Sequence, residues 1–305
     1  NSFCTLLGPS TMPVITDEDR AAVTVSMAAP HVAEVRLNRA ARLNAMTIGM
    51  FLRVGEAFRE ITNAIVAGND SDDAKPGALT DVRCVILTSA AAKVFTAGID
   101  FASAADVSTA HTRDDAARTA IRTYHAVRAM QDGFSAVAAC PVPVIAAVHG
   151  ACIGAGIDLI TACDIRLASQ DAVFSVKEVD VAIAADLGTL QRLPRVVGNQ
   201  SIVREWCLTA RNFDAAEALH HGLLSSVTAA GEVRARALEM AKGIAAKPPV
   251  AVVGTKASLN FATEDDVQRG LRHVALFNAA GLQTDDIPNA MMAAKKKKPA
   301  QFSKL

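Results

Sequence analysis

The chain up to about residue 195 alternates short apolar runs with longer stretches in which apolar residues recur every three or four positions. A run that alternates, or that is rich in β-branched side chains, is typical of a strand, and helical spacing predicts an amphipathic helix. Strands are expected at 31–39, 82–89, 141–150, 164–169 and 172–176. Helices are expected over about 47–66 and 114–138, the second ending near Gly133. This succession predicts an α/β fold.

After Pro194 the pattern changes, because the apolar positions that follow have helical spacing alone. Helices are expected at 198–210, 214–222, 231–247, 250–261 and 264–280. Gly222 is suited to end the second of them as a C-cap. The sequence therefore predicts a strand-and-helix core followed by a helical C-terminal segment.

Composition and charge narrow the class of protein. Of 305 residues 51% are hydrophobic, which is ample for a core, and no apolar run approaches the roughly 18 residues that span a bilayer. The 31 basic and 31 acidic side chains give a net charge of zero, which disfavours a general nucleic-acid binder. Neither a membrane nor a nucleic-acid partner is expected.

The cysteines are scattered, with no C-x-x-C pair, and most lie in apolar runs. We expect them to be reduced core residues, except that Cys4 could be an exposed thiol in the N-terminal segment, and expect no metal site. They are Cys4, Cys84, Cys140, Cys152, Cys163 and Cys207. Residues 1–20 lack the basic and long apolar regions of a secretory signal.

Two glycine-containing segments follow predicted strands: "FTAGIDF" at 95–101 and "HGACIGAGIDL" at 149–159. Glycine permits close backbone approach, and the start of a helix offers N–H groups without acceptors. Two such turns facing each other could bind a carbonyl oxygen that becomes negatively charged during a reaction. The alternative is that these glycines only let a helix pack tightly on a sheet.

The stretch "KEVDVAIAADLGTLQRLP" (177–194) places Glu178, Asp180 and Asp186 among apolar residues. Carboxylates are seldom buried without a partner. Either these acids face solvent from a strand edge, or the apolar surroundings raise their pKa values for acid–base chemistry. We interpret Asp180 as structural.

Several segments together resemble the enoyl-CoA hydratase/isomerase (crotonase) superfamily, over nearly all of the chain from about residue 25. They are "EVRLNRAARLNAMT", "KVFTAGIDF", "AAVHGACIGAGIDLITACDIRLAS", "LGTLQRLPRVVGN", "LTARNFDAAEALHHGLLSSV" and "AAKPPVAVVGTKASLN". The resemblance implies a ββα-repeat spiral core at 25–196 and a helical trimerisation segment at 197–294. We expect a flexible N-terminal extension at 1–24 and a basic tail at 295–305.

The resemblance also implies a site for an acyl-CoA thioester. The oxyanion would be bound by the backbone N–H groups of Ile99 and Ala155, where the superfamily usually has glycine at the second position. Further substrate or CoA contacts are implied at Arg42, Ala45, Ala97, Gly98, Gly154 and Phe302. Coenzyme A would belong to the substrate, and no separate cofactor is expected.

The acids point to one group within the superfamily. Hydratases have two catalytic glutamates twenty positions apart; here Asp158 and Glu178 have that spacing, with one side chain shorter by about 1.5 Å. Together with Asp186 they resemble the dienoyl-CoA isomerases, which convert a 3,5-dienoyl-CoA to the conjugated 2,4-dienoyl-CoA. The resemblance implies that Glu178 removes a proton at C2 and that Asp186 returns one at C6. It implies for Asp158 a role in positioning and in tuning the charge of the site.

Other interpretations stay open at this stage. A 2-enoyl-CoA hydratase would explain Asp158 and Glu178 but would leave Asp186 without a role. Asp186 could instead cap the turn before "LGTLQRLP" by accepting hydrogen bonds from Gly188 or Thr189. A non-catalytic member that binds CoA or RNA is the third alternative, supported by Lys295–Lys298 alone.

Assembly and location are also expectations from the resemblance and from a motif. The superfamily implies a homo-trimer or hexamer in which C-terminal helices cover a neighbouring site. Ser303-Lys304-Leu305 matches the tripeptide read by the peroxisomal import receptor. We therefore expect a peroxisomal or glycosomal location, with the mitochondrion as the alternative.

Overall fold

The computed structural model describes residues 14–67, 79–103, 115–261, 264–284 and 286–298. Cys4, the candidate CoA contact Phe302 and the candidate import signal Ser303-Lys304-Leu305 lie outside the described residues.

Within these ranges the strands form two sheets. The larger sheet has the order β1-β2-β3-β5-β7-β10 and is parallel apart from the β1–β2 pair. Its strands are β1 Val23–Ala29, β2 Val32–Leu37, β3 Cys84–Ser89, β5 Val144–Val148, β7 Ile165–Ser169 and β10 Ser226–Thr228. Every residue of β3 and β5 is buried, which explains why apolar residues follow one another without alternation from Cys84 to Leu87 and throughout β5.

The smaller sheet has the order β4-β6-β8-β9. Its strands are β4 Val94–Thr96, β6 Ala151–Ile153, β8 Val173–Ser175 and β9 Phe213–Asp214. Strands β4, β6 and β8 each follow a strand of the larger sheet along the chain, and a helix or helical turn follows each of them. This repeated strand–strand–helix unit confirms the predicted spiral core.

Helices cover the sheets and continue to the end of the described chain. Before residue 189 they are α1 Asp17–Ala22, α2 Ile48–Ala67, α3 Ala116–Ala139 and α4 Ala155–Thr161. After it come α5 Thr189–Val197, α6 Gln200–Thr209, α7 Ala215–His220, α8 Val233–Ala245, α9 Pro249–Phe261, α10 Glu264–Gly281 and α11 Asp286–Lys296.

The predicted end of α3 near Gly133 is wrong, since the helix continues to Ala139. Gly133 lies where α3 crosses α2: a Cβ atom there would be 2.4 Å from the carbonyl oxygen of Phe51. Facing it on α2 is Gly55, whose added Cβ would be 2.6 Å from the Cα of Gly133. The glycine serves the close contact between two helices.

Two further expectations need correction. The segment after Pro194 contains strands as well as helices, because β9 pairs with β8 and β10 extends the larger sheet beside β7. The expected flexible extension at 1–24 is too long, because helix α1 already begins at Asp17 and strand β1 at Val23. A capping box between Thr16 and Asp19 begins α1, and Asp19 is buried against Thr47.

The five described cysteines, Cys84, Cys140, Cys152, Cys163 and Cys207, are buried and form no disulfide. Burial raises the pKa of the Cys84, Cys163 and Cys207 thiols to about 12. Among the residues described, no group of three His, Cys, Asp or Glu side chains could hold a metal ion. In the same ranges no helix is both long and apolar enough to cross a membrane.

Candidate active site

A cavity of about 90 Å³ lies where the ends of β4 and β6 meet the segment 177–187. Eight predicted site residues line it: Ala97, Gly98, Ile99, Gly154, Ala155, Asp158, Glu178 and Asp186. Apolar side chains, among them Phe51, Val181 and Leu187, form much of the remaining wall. Arg42 and Ala45 are not among the lining residues: Arg42 ends the 3₁₀ helix Ala40–Arg42, and Ala45 lies between that helix and α2.

The first candidate oxyanion donor is fixed by a short parallel bridge between Met46 and Ile99. Met46 N donates to Gly98 O at 2.7 Å, and Asp100 N donates to Met46 O at 2.9 Å. Because the flanking residues make these bonds, the N–H group of Ile99 itself points away from Met46. It is thus available to a ligand.

The second candidate donor begins helix α4. Gly154 has a φ of 54°, and Ala155 is the first helical residue, so its N–H group has no acceptor within the helix. The two turns touch: a Cβ on Gly98 would lie 3.0 Å from Ile153 O, and one on Gly154 would lie 4.0 Å from Gly98 Cα. The glycines therefore allow close packing and also bring both N–H groups to one cavity.

Asn44 supports the first turn and was missed by sequence reasoning. It is fully buried, with a φ of 50°, and its amide donates to Ser89 Oγ at 2.7 Å and to Phe95 O at 3.0 Å. Thr96 Oγ1 donates to the carbonyl oxygen of Asn44 at 2.7 Å and accepts from Gly98 N at 3.1 Å. Asn44 thereby joins the loop at 40–46 to the oxyanion turn.

Asp158 lies on α4 and is buried. Its Oδ1 accepts a hydrogen bond of 2.6 Å from the N–H group of Thr189, the first residue of α5. Burial raises the pKa of Asp158, whereas the Thr189 N–H and the Arg192 guanidinium lower it. The positive end of α5 also favours the ionised carboxyl.

Glu178 is the first residue of a 3₁₀ turn, Glu178–Val181, and not part of a strand edge. A Cβ on Gly154 would be 3.4 Å from Glu178 Oε1, so this carboxyl reaches the second oxyanion turn. Its Oε2 is buried and makes no hydrogen bond within the described residues. Burial first, and then the charge of Asp158, raise the pKa of Glu178 well above its usual value.

Asp186 lines the same cavity but has a different environment. Its Oδ2 accepts a hydrogen bond of 2.7 Å from Nδ2 of Asn278, on helix α10. Burial raises the pKa of Asp186 to about 7, the charge of Asp158 acts in the same direction, and the Asn278 amide opposes both. The Thr189 N–H that a capping role would need is bound by Asp158 instead.

Asp180 lies one turn from Glu178 and outside the cavity lining. It forms an ion pair of 2.8 Å with Lys177, and both side chains are largely exposed. This agrees with its interpretation as a structural residue.

Gln131 and Asn278 are the polar contacts of Asp186 that the sequence did not reveal. Asn278 follows Leu271, Val274 and Ala275 along the buried face of α10 and is itself buried. A polar residue in an apolar helical stripe is the signal that could have indicated it. Its partner remains invisible in the pattern, since Asp186 is 92 positions away.

Comparison with known proteins decides the family. A model of the enoyl-CoA hydratase/isomerase family matches residues 28–304. The chain belongs to this family. A solved enoyl-CoA hydratase from Mycobacterium avium subsp. paratuberculosis K-10 superposes with a TM-score of 0.75 at 22% identity, over 93% of this chain and 99% of the other. This likeness confirms the crotonase-type fold.

Curated relatives are similar over most of their length. The chain is 43% identical over 293 residues to the mitochondrial Δ(3,5)-Δ(2,4)-dienoyl-CoA isomerase of Pongo abelii, covering 95% of this chain and 84% of that protein. It is 42% identical over 271 residues to the peroxisomal Δ(3,5)-Δ(2,4)-dienoyl-CoA isomerase of Arabidopsis thaliana, covering 88% and 91% respectively.

Proposed function

We propose that this protein is a Δ3,5-Δ2,4-dienoyl-CoA isomerase of fatty-acid β-oxidation. The observation that carries the proposal is the presence of Asp186, with its pKa raised to about 7, in the same cavity as Asp158 and Glu178. The similarity to relatives named as such isomerases supports the same activity.

The reaction needs a negatively charged intermediate. The thioester oxygen would accept hydrogen bonds from the N–H groups of Ile99 and Ala155, which stabilise the charge that develops there. Glu178 removes the C2 proton, and the electron pair spreads over the thioester and the two double bonds as an extended dienolate. Asp186 then gives a proton to C6. One proton leaves and one enters, so neither water nor a redox partner is consumed.

The reaction determines how many protons Glu178 and Asp186 hold together. Forward turnover begins with Glu178 ionised and Asp186 protonated, and ends with the reverse. The two groups must therefore hold one proton between them. Raised pKa values on both bring this singly protonated state to near-neutral pH, where acid–base catalysts work best. Asp158 contributes charge without touching the reacting carbons.

Hydration of a 2-enoyl-CoA is the alternative activity, and the position of Asp158 disfavours it. A hydratase of this family holds the attacking water between two carboxylates. In this protein Asp158 is buried and its Oδ1 is bound to Thr189 N at 2.6 Å. The shorter acid therefore stabilises the start of α5. A non-catalytic member that binds RNA has no support beyond the basic run Lys295–Lys298.

One assay separates these functions. Purified protein is given 3,5-dienoyl-CoA in one cuvette and 2-enoyl-CoA in another. An isomerase increases ultraviolet absorbance in the first, because the product is conjugated, whereas a hydratase decreases absorbance in the second. Absorbance loss with 2-enoyl-CoA and no gain with the diene would overturn the proposal. If neither changes and RNA is retarded in a gel, the binding function gains.

We also propose that the protein assembles as a homo-trimer or hexamer. Large apolar side chains are exposed on α9 and α10, which supports burial of these helices against another copy. They are Val250, Leu259, Phe261, Leu276 and Phe277. Sedimentation of a monomer at micromolar concentration would contradict this assembly.

For location, we propose that Ser303-Lys304-Leu305 directs the protein to peroxisomes or glycosomes. Relatives are named as peroxisomal and as mitochondrial, so the mitochondrion is the alternative. A fluorescent protein fused to the N-terminus tests this: deletion of Leu305 should move the fusion from punctate organelles to the cytosol. Unchanged puncta would favour an N-terminal signal.

A further inference from the structure

Asp186 is held by a helix from the far end of the chain. Both hydrogens of the Asn278 amide are donated to one short segment: Nδ2 lies 2.7 Å from Asp186 Oδ2 and 2.9 Å from Ala184 O. The amide therefore binds the carboxyl and the backbone two residues before it at the same time. This double contact restricts the rotation of the Asp186 side chain.

A second side chain fixes the same segment from another helix. Gln131, on α3, is fully buried and donates to Asp186 O at 2.6 Å and to Leu271 O at 3.0 Å. Its own oxygen accepts from Arg128 at 2.7 Å. Gln131 thus joins α3, α10 and the backbone of Asp186, so the carboxyl and its backbone are anchored separately.

Burial shows that packing alone does not explain Asn278. Its exposed fraction is 2%, and its neighbours along the same face of α10, Leu271, Val274 and Ala275, are apolar. A buried amide is unfavourable unless its donors are satisfied, so an apolar residue would serve better if only volume mattered. The hydrogen bond to Asp186 supplies the compensation.

We infer that Asn278 is a positioning residue for Asp186, whose carboxyl it orients toward the end of the cavity where C6 of the substrate lies. The inference rests on the proposed isomerase function. When Asp186 gives its proton to C6 it becomes a carboxylate, and the Asn278 amide is then a donor to a charged acceptor, which is the stronger kind of hydrogen bond.

The groups around Asp186 determine in which direction its pKa should change when the Asn278 amide is removed. Burial and the neighbouring charge of Asp158 raise the pKa of Asp186, and the Asn278 amide lowers it. The other charged groups of the surroundings are Glu178 and Lys177, which line the cavity, Arg192, which donates to Leu187 O at 3.2 Å, and Arg128, which is engaged by Gln131. Loss of the amide removes the larger of the two lowering effects, the other being a backbone hydrogen bond at Asp186, so the pKa of Asp186 must rise further.

The main test replaces Asn278 by leucine, which has a similar size and no donor. In N278L we expect isomerisation to fall by about 10- to 100-fold, the loss for a hydrogen bond to a charged group. Exchange of the C2 proton with deuterated water depends on Glu178 and should stay within about twofold. A general loss of folding would lower both rates together. N278D, which keeps the shape but places a carboxyl beside Asp186, should show the same division.

Two controls accompany these variants. Asn260, on α9, also donates its amide to a carbonyl, Ala138 O at 3.0 Å, but lies outside the cavity lining. N260L should therefore keep isomerisation within about twofold. The second control is spectroscopic: with ¹³C-labelled aspartate assigned through D186N, the carboxyl of Asp186 should titrate at least about one pH unit higher in N278L.

The outcomes separate the inference from the proposed function. An unchanged Asp186 titration in N278L, or equal loss of isomerisation and C2 exchange, would overturn the role of Asn278. If the wild-type protein fails to isomerise 3,5-dienoyl-CoA, the proposed function fails. The titration then still decides whether Asn278 controls Asp186, because it needs no substrate.

Discussion

Two acids that line the cavity are held in opposite ways. Glu178, the proposed base at C2, lies beside another acid, and its Oε2 makes no hydrogen bond to the described residues. Asp186, the proposed acid at C6, is bound by an amide of α10, and its backbone by an amide of α3. One acid keeps an oxygen without a hydrogen-bond partner among the described residues, and the other is fixed in place.

This difference shows how similar side chains acquire different tasks. Burial, and then the charge of Asp158, raise the pKa of Glu178, and a higher pKa makes its carboxylate a stronger base. In the proposed mechanism Asp186 must reach C6, farther along the acyl group than C2, so its orientation matters more. The first acid depends mainly on electrostatics and the second mainly on geometry.

The largest expected effect follows replacement of the base. E178Q keeps the size of the side chain but removes its ability to take a proton. Isomerisation should fall by at least about 100-fold, the usual scale for a general base, and C2 exchange should stop. The measurements are the absorbance assay and proton NMR in deuterated water. Persistent exchange would mean that another group acts at C2.

Replacement of the acid should break the reaction at its second step. D186N should lose at least about 100-fold in isomerisation with little change in substrate affinity. In contrast to E178Q, it should still exchange the C2 proton, because Glu178 and both oxyanion donors remain. The contrast between the two variants is the decisive result. Activity within a few-fold of wild type would remove Asp186 from the mechanism.

The pH dependence of kcat/KM should reflect the pKa values of both Glu178 and Asp186. Because burial raises the pKa of Asp186 to about 7 and that of Glu178 well above its usual value, both acids are protonated at low pH and no base remains. We expect kcat/KM to fall, toward tenfold per unit, as the pH is lowered through the raised pKa of Glu178, and to fall again as the pH rises above about 7, where Asp186 loses the proton that it must donate. A rate that stays constant down to about pH 5 would contradict these raised values.

A smaller effect is expected when the charge of Asp158 is removed. D158N retains an oxygen that can accept from Thr189 N, so the start of α5 should be preserved. Without the neighbouring negative charge the pKa of Glu178 falls, and the base becomes weaker. We expect about a tenfold loss in kcat and an acid limb shifted to lower pH. An unshifted limb would show that Asp158 does not tune Glu178.

The smallest effect is expected at the second oxyanion turn. Ala155 contributes a backbone N–H group, so A155G leaves the donor in place. We expect kcat/KM within about twofold of wild type, in contrast to the losses at either acid. A much larger loss would show that the methyl group, and not only the backbone, shapes the site.

The sequence predicted most of the longer elements, although the seven-residue strand β1, Val23–Ala29, was missed. Strands β3 and β5 were found because each contains at least four successive apolar residues, and α2 because its apolar positions recur over 20 residues. Strands β9 and β10, of two and three residues, are too short to carry a period. Gly133 was taken as a helix end because its contact with α2 is a tertiary contact, which the local sequence does not show.

For the site too, the sequence predicted the residues that lie in contiguous motifs and missed those whose contacts join distant parts of the chain. The acids and oxyanion turns lie in contiguous motifs that resemble a family, and eight of the predicted residues line one cavity. Asn278 and Gln131 lie 92 and 55 positions from Asp186. Contacts of such separation leave no local pattern, so the structure was needed to reveal what holds the acid.

The buried cysteines have a consequence for how the enzyme can be probed and how it withstands oxidants. A thiol reacts as its thiolate, and a pKa of about 12 at Cys84, Cys163 and Cys207 leaves almost none at neutral pH. In the folded protein these positions should resist alkylation and peroxide. The rate at which each thiol is modified would then measure how often its surroundings open to solvent: β3 for Cys84, the end of α4 for Cys163, and α6 for Cys207.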